Sequence, residues 1–364
     1  MPELSPATFL LVADARAALA ALDGTARQLP EPRLLRKLAL RREAHSTSAL
    51  EGTYAPLAEV VTADEEETAS LELVEILNYV RMAKLGFARV SEGQAITRSM
   101  LAELQGVLMR GTRLEPHAGR LRDVPVVIGR REDAGPEELP VHAARFVPPP
   151  PGDHLIAGVD ALVEWMRTDH RGRIDPVVAA AMLHSQFETL HPFLDGNGRL
   201  GRYLISLHLL GMGVLAEPTL IVSPWFESRR GEYYDALLGV STEGAWDRWV
   251  AFFARGVQES ADDTRERMIR LVVVQEELKE VVRASGIRAN NAHRLVDFAV
   301  ANPSFTIAQA RDGLGISQTN ASKLVGQLVD LGVLTPVAQQ RYRRRFVAPR
   351  ILEVLLDDRG ARRD

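Results

Sequence analysis

The sequence predicts a mostly α fold: a helical body with one β-hairpin, followed by a smaller C-terminal unit of three helices and two short strands. Three observations carry this. Most segments between proline and glycine breaks read as amphipathic helices. Only Leu121–Gly129 and Val141–Val147 in the first 280 residues are short and β-rich. A glycine-rich loop around Asp195–Gly198 then feeds a helix N-terminus, because two glycines and an asparagine at that spacing favour a turn.

The elements follow in order. Residues 7–29 and 33–51 are predicted helices, parted by Pro30 and Pro32. A helix over about 64–90 opens on the acidic run Asp64–Glu67, which complements its dipole and is solvated. Residues 95–110 form another helix. Leu121–Gly129 and Val141–Val147 pair around a polar tip, and Pro148–Pro151 end the hairpin. Helices follow at about 154–168 and at Pro176–Leu190, the latter with its proline in the first turn. After the glycine loop, 224–260 holds two helices with Tyr233, Tyr234, Trp246 and Trp249, and 263–284 reads as a charged linker helix. The domain reading is a 1–95 helical region, a 96–260 catalytic core, a 261–286 linker and a 287–364 terminal unit.

Composition narrows the class. The chain has 364 residues, 46% hydrophobic and 25% charged, with a net charge of −4 and no cysteine. Disulfides and thiolate metal sites are excluded, and the balance gives no whole-chain signal for nucleic acid. No signal peptide or membrane span is read, so a cytoplasmic enzyme is expected. Gly211–Ala216 fits a loose GxGxxA but follows a helix rather than a strand. There is no GxxxxGK(S/T) and no HExxH.

The densest chemistry lies in His191-Pro-Phe-Leu-Asp195-Gly-Asn197-Gly-Arg199-Leu-Gly-Arg202. Unpaired amides at a helix N-terminus attract anions. Arg199 and Arg202, three apart, share a face and can clamp phosphate oxygens. Asp195 offers hard oxygens for Mg2+ held jointly with phosphates. His191 titrates near neutrality and suits a general base.

This stretch resembles the signature of the Fic family, His-Pro-Phe-x-(Asp/Glu)-Gly-Asn-Gly-Arg-x-x-Arg, and matches every specified position. The likeness covers roughly residues 35–258. It implies a Fic-type helical core with a β-hairpin flap, and transfer of AMP from ATP to a Ser, Thr or Tyr hydroxyl of a protein. On that resemblance His191 is the base, Phe193 anchors the loop, and Asp195 holds Mg2+. Gly196, Asn197, Gly198, Arg199 and Arg202 would bind phosphates. Gly119, Arg122, Val124–Gly129 and the Pro148–Pro151 stretch resemble the flap and its exit, with Val127, Ile128 and Gly129 at the nucleotide. Arg229–Tyr234 resembles the segment lining the adenine pocket. Tyr233 and Tyr234 are consecutive on a helix, so at most one stacks on a base and the other belongs to the core. His184 receives no role.

Upstream, Thr47-Ser-Ala-Leu-Glu51-Gly52 resembles the family's inhibitory motif, (Ser/Thr)-x-x-x-Glu-(Gly/Asn). It implies that Glu51 pairs with Arg202 and displaces the γ-phosphate. The alternative is a helix closed by a glycine cap with an exposed glutamate.

In the terminal unit, Asn291–Ala301, Thr306–Leu314 and Ser317–Leu331 read as helices, and Val333–Pro336 with Arg345–Val347 as strands. This resembles a winged helix. Residues 288–364 carry twelve Lys/Arg and seven Asp/Glu. Gln318, Asn320, Ser322, Lys323 and Gln327, with the basic tip Arg341–Arg345, suit DNA, and equally a protein-docking module.

The expectation is therefore a Fic-type protein adenylyltransferase autoinhibited by Glu51, with ATP as co-substrate and Mg2+ as cofactor. Its partners are a target protein, itself included as a candidate, with DNA through 287–350 and a second copy of the chain left open, and no membrane. Transfer of another phosphate-containing group, or a nucleotide-sensing transcription regulator, remain beside it.

Overall fold

The computed structural model describes residues 2–28, 32–63, 70–287, 290–337 and 344–357. Asp64–Glu67, Arg341 and Arg343, singled out above, lie outside these residues. Helices dominate: α1 (Pro6–Gln28), α2 (Pro32–Leu50), α3 (Leu57–Thr62), α4 (Leu71–Ser91) and α5 (Arg98–Leu108) precede the hairpin. The single helix expected over 64–90 thus begins at Leu71, where Ser70 caps it by accepting from Leu73 N.

The hairpin is smaller than expected. Strand β1 is Ile128–Arg130 and β2 is Ala144–Phe146, antiparallel, with Ile128 opposite Phe146 and Arg130 opposite Ala144. The four-residue helix α6 (Pro140–Ala143) takes the place of the extended start at Val141. Residues 121–127 do not pair, because Pro125 lacks an N–H and Arg122 turns inward to bind main-chain carbonyls.

Then come α7 (Asp153–Arg167), α8 (Pro176–Leu190), α9 (Asn197–Gly211), α10 (Ser223–Ser228), α11 (Arg230–Glu243) and α12 (Trp246–Ala284). The last is one helix of 39 residues, so the expected break near 260 and the separate linker helix are replaced by a continuous rod. No proline interrupts it, and its first half packs on α8 and α11 while α1 lies along it. Gly256 admits the Trp225 ring, which a Cβ there would meet at 2.8 Å.

Helices α8 and α9 are the centre. Val177, Val178 and Ala181 of α8 and Ile205 and Leu209 of α9 join an apolar cluster with α1, α10 and α12. Leu183 and Phe187, with Leu200, Leu204 and Leu207, face a second cluster built by α4, α5 and α7. A helix apolar on every side must be buried, and these two are.

The terminal unit runs α13 (Asn290–Ala301), β3 (Ser304–Thr306), α14 (Ile307–Leu314), α15 (Gln318–Asp330), β4 (Thr335–Pro336), β5 (Arg345–Val347) and α16 (Pro349–Leu356). Its antiparallel sheet has the order β3-β5-β4. Thr306 and Gln309 form a reciprocal capping box at α14, and Ser317 caps α15. The unit rests on α2: Lys37 Nζ donates to Asn302 Oδ1 at 2.7 Å and Arg42 Nη1 to the Leu355 carbonyl at 3.1 Å. Among the described residues no helix is long and apolar enough to cross a membrane.

Candidate active site

Helix α8 ends at His191, whose φ of 46° makes it the sole non-glycine residue with positive φ among those described. A left-handed backbone at a non-glycine residue is held only when its surroundings over-determine it. Here the His191 N–H donates to the Phe187 carbonyl at 2.9 Å. Arg122 Nε donates to the His191 carbonyl at 2.8 Å, and the Arg122 N–H to the Pro192 carbonyl at 2.9 Å. Arg122 also donates to the Pro149 carbonyl, so one buried guanidinium joins the His191 turn to the exit of the hairpin.

The loop after His191 is closed from within. Asn197 Oδ1 accepts from Phe193 N–H at 2.9 Å, and its Nδ2 donates to the Phe193 carbonyl at 2.8 Å. The Phe193 ring is buried in the second cluster. Asn197 was expected at the phosphates; its side-chain amide pairs with the loop's own main chain. Gly196 has φ 81°, and a Cβ there would strike Leu108 at 2.9 Å. Gln105 clasps the same loop, donating to the Asp195 carbonyl and accepting from Gly119 N–H.

Arg202 points from the first turns of α9 toward α2 and is 1% exposed. Its Nε donates to Thr47 Oγ1 at 2.8 Å, and its Nη2 to the Thr47 carbonyl at 3.0 Å and to Glu51 Oε1 at 2.6 Å. Glu51 thus sits against the anion end of α9, as the resemblance implied, with its side chain 30% exposed. Burial pulls its pKa up, but Arg202, with Arg199 and His191 behind it, outweighs burial and holds the carboxyl below its ordinary value. A Cβ on Gly198 would meet Glu51 Oε1 at 2.1 Å, so this glycine makes room for an anion's oxygens.

A cleft of about 400 Å³ opens over these groups. Glu51, His191, Gly198, Arg202, Tyr234, Val127, Ile128 and Gly129 line it, together with Leu50, Phe146 and Leu237. Gly196, Asn197, Asp195, Arg199 and Tyr233 do not. Tyr233 is a core residue: its hydroxyl meets His184 Nε2 at 2.7 Å and its ring stacks on Phe226, 4.8 Å between centroids. Tyr234, about 100° round the helix, faces the cleft and donates to the Leu50 carbonyl. His184 is buried with it and stays neutral, burial and then Arg202 pushing its pKa to about 3.

Arg199 is 2% exposed and lies 3.5 Å from Glu75 and 3.4 Å from Asp195, while its Nε and Nη1 have no hydrogen-bond partner. Asp195 Oδ1 accepts from Gly196 N–H, and its side chain is 45% exposed. Among the described residues no three His, Cys, Asp or Glu side chains gather as a metal cage. Asp195, accessible but 3.4 Å from Arg199, is the kind of carboxylate that can share a cation with phosphates.

Three side chains that received no role from the sequence line or brace the site. Glu188, one turn before His191, is buried in the cleft wall, and burial raises its pKa to about 8. Glu43 accepts from Ser223 N–H and Oγ and pins α2 to α10, and burial lifts its pKa to about 6. Thr47 was quoted as part of a motif, but its two bonds to Arg202 were not foreseen.

Comparison with known proteins places these features in a family. Two family models match, "Fic/DOC family N-terminal" over residues 9–88 and "Fic/DOC family" over 95–209, together more than half of the chain. Among curated relatives, "Protein adenylyltransferase Fic" of Drosophila virilis is 32% identical over 122 residues, which is 34% of this chain and 24% of that protein. The Drosophila melanogaster protein of the same name is 31% identical over the same length. The matched part is therefore about a quarter of those relatives. A Fic family protein from Desulfovibrio desulfuricans G20 superposes with a TM-score of 0.58 at 20% identity, over 96% of this chain and 98% of that one. Fic-1 from C. elegans gives 0.56 at 20% identity, over 72% and 74%. These structures share the fold.

Burial, opposed by Glu51, lowers the His191 pKa to about 4. A base depressed below its unfolded value near 6.5 is neutral in the folded protein, so its share of stability is lost as pH falls from about 6.5 toward 4. An NMR titration of the wild-type imidazole is expected to show neutral His191 at pH 5.5. A midpoint near 6.5 would contradict the burial described here.

Proposed function

The chain belongs to the Fic/DOC family, and from that premise we propose that it is a protein adenylyltransferase held inactive by Glu51. The observation that carries the reading is the Glu51 carboxylate on Arg202 at 2.6 Å, directly over the loop-to-helix anion site. Arg–carboxylate and Arg–phosphate pairs share a geometry, so glutamate and the γ-phosphate compete for one guanidinium. ATP bound beside Glu51 would have its α-phosphorus out of line.

With Glu51 withdrawn, Arg202 takes the γ-phosphate and the first turn of α9 faces the triphosphate. The base enters the apolar part of the cleft beside Tyr234 and Leu237. Neutral His191 accepts the proton of a Ser, Thr or Tyr hydroxyl, whose oxygen attacks the α-phosphorus as pyrophosphate leaves. A general base contributes about 10²–10⁴-fold, and alignment the rest. Asp195 would hold Mg2+ jointly with the phosphates, and the ion would neutralise charge on the leaving group. The main-chain edge of Ile128–Arg130 is suited to receive an extended target segment by strand pairing. A cytoplasmic setting, with ATP at hand, belongs to this reading.

The terminal unit has the element order of a winged helix, and Gln318, Asn320 and Lys323 on α15 are exposed. DNA is the partner such a face suits, the helix entering the major groove.

Glu51→Gly is expected to raise auto-modification by α-labelled ATP roughly 10²-fold, with no transfer from γ-labelled ATP. His191→Ala in that background should abolish transfer and leave ATP binding nearly intact. Unchanged labelling on Glu51→Gly, in a folded protein, sinks the inhibitory role.

Asp195→Ala should weaken ATP binding with Mg2+ more than without it. Equal losses in the two titrations would withdraw Asp195 as the metal ligand.

In a gel shift at low salt, Lys323→Glu with Arg344→Glu should weaken DNA binding and flatten its salt dependence. No shift with the wild type would make the unit a protein-docking module.

A further inference from the structure

A helix that buries an apolar stripe tolerates a small shift. One held by buried hydrogen bonds does not, because each bond is directional and a missed one leaves a desolvated group behind. Helix α2 is of the second kind. Among its described residues Arg41, Arg42, Glu43, Ser46, Thr47 and Ser48 are buried, against five apolar ones. At about 100° per residue its bonded side chains fall on opposite faces. Glu43 and Thr47 look to the core, where they meet Ser223 and Arg202. Lys37, Arg41 and Arg42 look away from it, toward α3 and the terminal unit.

The outer face is a continuous seam. Lys37 Nζ donates to Asn302 Oδ1 just past α13, and Arg42 Nη1 to the Leu355 carbonyl of α16. Arg267 of α12 donates to the neighbouring Val354 carbonyl at 3.2 Å, so α16 is pinned between α2 and the core. Arg41 Nη1 donates to the carbonyls of Val60, Val61 and Ala63 at the end of α3, where Arg345 of β5 reaches the Thr62 carbonyl at 3.5 Å. Helix α13 packs on both α2 and α15, so the exposed residues of α15 lie one helix away from the seam.

We propose that the terminal unit is the clamp on the inhibitory contact: its seam keeps α2, and with it Glu51, seated on Arg202, and slackening that seam raises transfer at His191. This rests on the autoinhibition reading above. No proline or glycine interrupts α2 between Lys37 and Leu50, so it moves as a rod. Arg42 and Glu51 are nine residues apart in sequence, about 14 Å along that rod. The seam bonds are made only while α2 is seated. Each one lost shifts the balance toward the released state, in which Arg202 is open to the γ-phosphate. On the core side ATP competes for the same guanidinium, so the seam decides how often α2 lets go.

The test uses the full chain with and without Glu51→Gly, each with and without the seam pair Lys37→Met and Arg42→Ala. With Glu51 present the pair should raise auto-modification by α-labelled ATP about tenfold, a usual size for coupling between sites. In the Glu51→Gly background it should change the rate less than about twofold, since no inhibitory carboxylate remains to be released. Amide hydrogen exchange reads the same release without catalysis: the segment 44–51 should exchange about tenfold faster in the seam variant. If Arg42→Ala lowers the melting temperature, Lys37→Met alone, on a half-buried contact, takes its place in both measurements. A rise of equal size in both backgrounds, or no rise in a folded protein, overturns the inference, as does faster exchange confined to residues 32–43. Should Glu51→Gly transfer no AMP at all, the transfer reading falls, and exchange over 44–51 still decides whether the terminal unit seats α2.

Discussion

A guanidinium buried to 1% exposure on the first turns of α9 must meet an anion or several acceptors, and the rest of this molecule is arranged to supply them to Arg202. Thr47 and Glu51 do so from α2, which therefore has to cross the mouth of the site. Its position is set along its length. Arg41 binds the carbonyls of Val60, Val61 and Ala63, Glu43 holds Ser223, and Arg42 reaches the last helix of the chain. Removing one partner of a buried pair costs about 3–5 kcal/mol when nothing replaces it. On the proposed reading a triphosphate would replace it with oxygens of the same geometry, which would make this contact exchangeable where an apolar one is not.

The catalytic loop is, by contrast, built to stay. Asn197 pairs with both polar groups of the Phe193 main chain, Gln105 clasps Asp195 and Gly119, and Arg122 holds His191 in its left-handed conformation. His191 and the helix N-terminus are fixed relative to each other by main-chain contacts, while the Glu51 carboxylate, inhibitory on the reading proposed above, arrives from a separate element. Rigid machinery with a removable occupant is what a competition mechanism requires.

Much of this was legible in the sequence, for identifiable reasons. The stretch His191–Arg202 concentrates charge, glycine and a base within twelve residues, so local chemistry alone pointed to the anion site. Glu51 was found through its spacing from Thr47. What escaped depended on packing. Asn197 could have faced ligand or loop, and only the folded turn, which pairs it with Phe193 four residues back, decides. Tyr233 and Tyr234 were correctly expected to diverge, but which ring enters the cleft depends on the aromatic cluster of His184 and Phe226. Residues 121–127 look β-rich, yet Arg122 finds better partners inside. Glu188 was passed over because its place in the cleft wall follows from how α8 packs, which no spacing reveals.

The central claim is that Glu51 and the γ-phosphate exclude each other on Arg202. Calorimetry of ATP and ADP with four proteins tests it: wild type, Arg202→Ala, Glu51→Gly and the double variant. The difference between ATP and ADP affinities isolates the γ-phosphate. The account predicts that Arg202→Ala barely changes this difference when Glu51 is present. In the Glu51→Gly background the same substitution should reduce it by about 1.5–3 kcal/mol, the worth of a charged hydrogen bond. An equal effect of Arg202→Ala in both backgrounds would mean that the two anions do not compete, and would contradict the account.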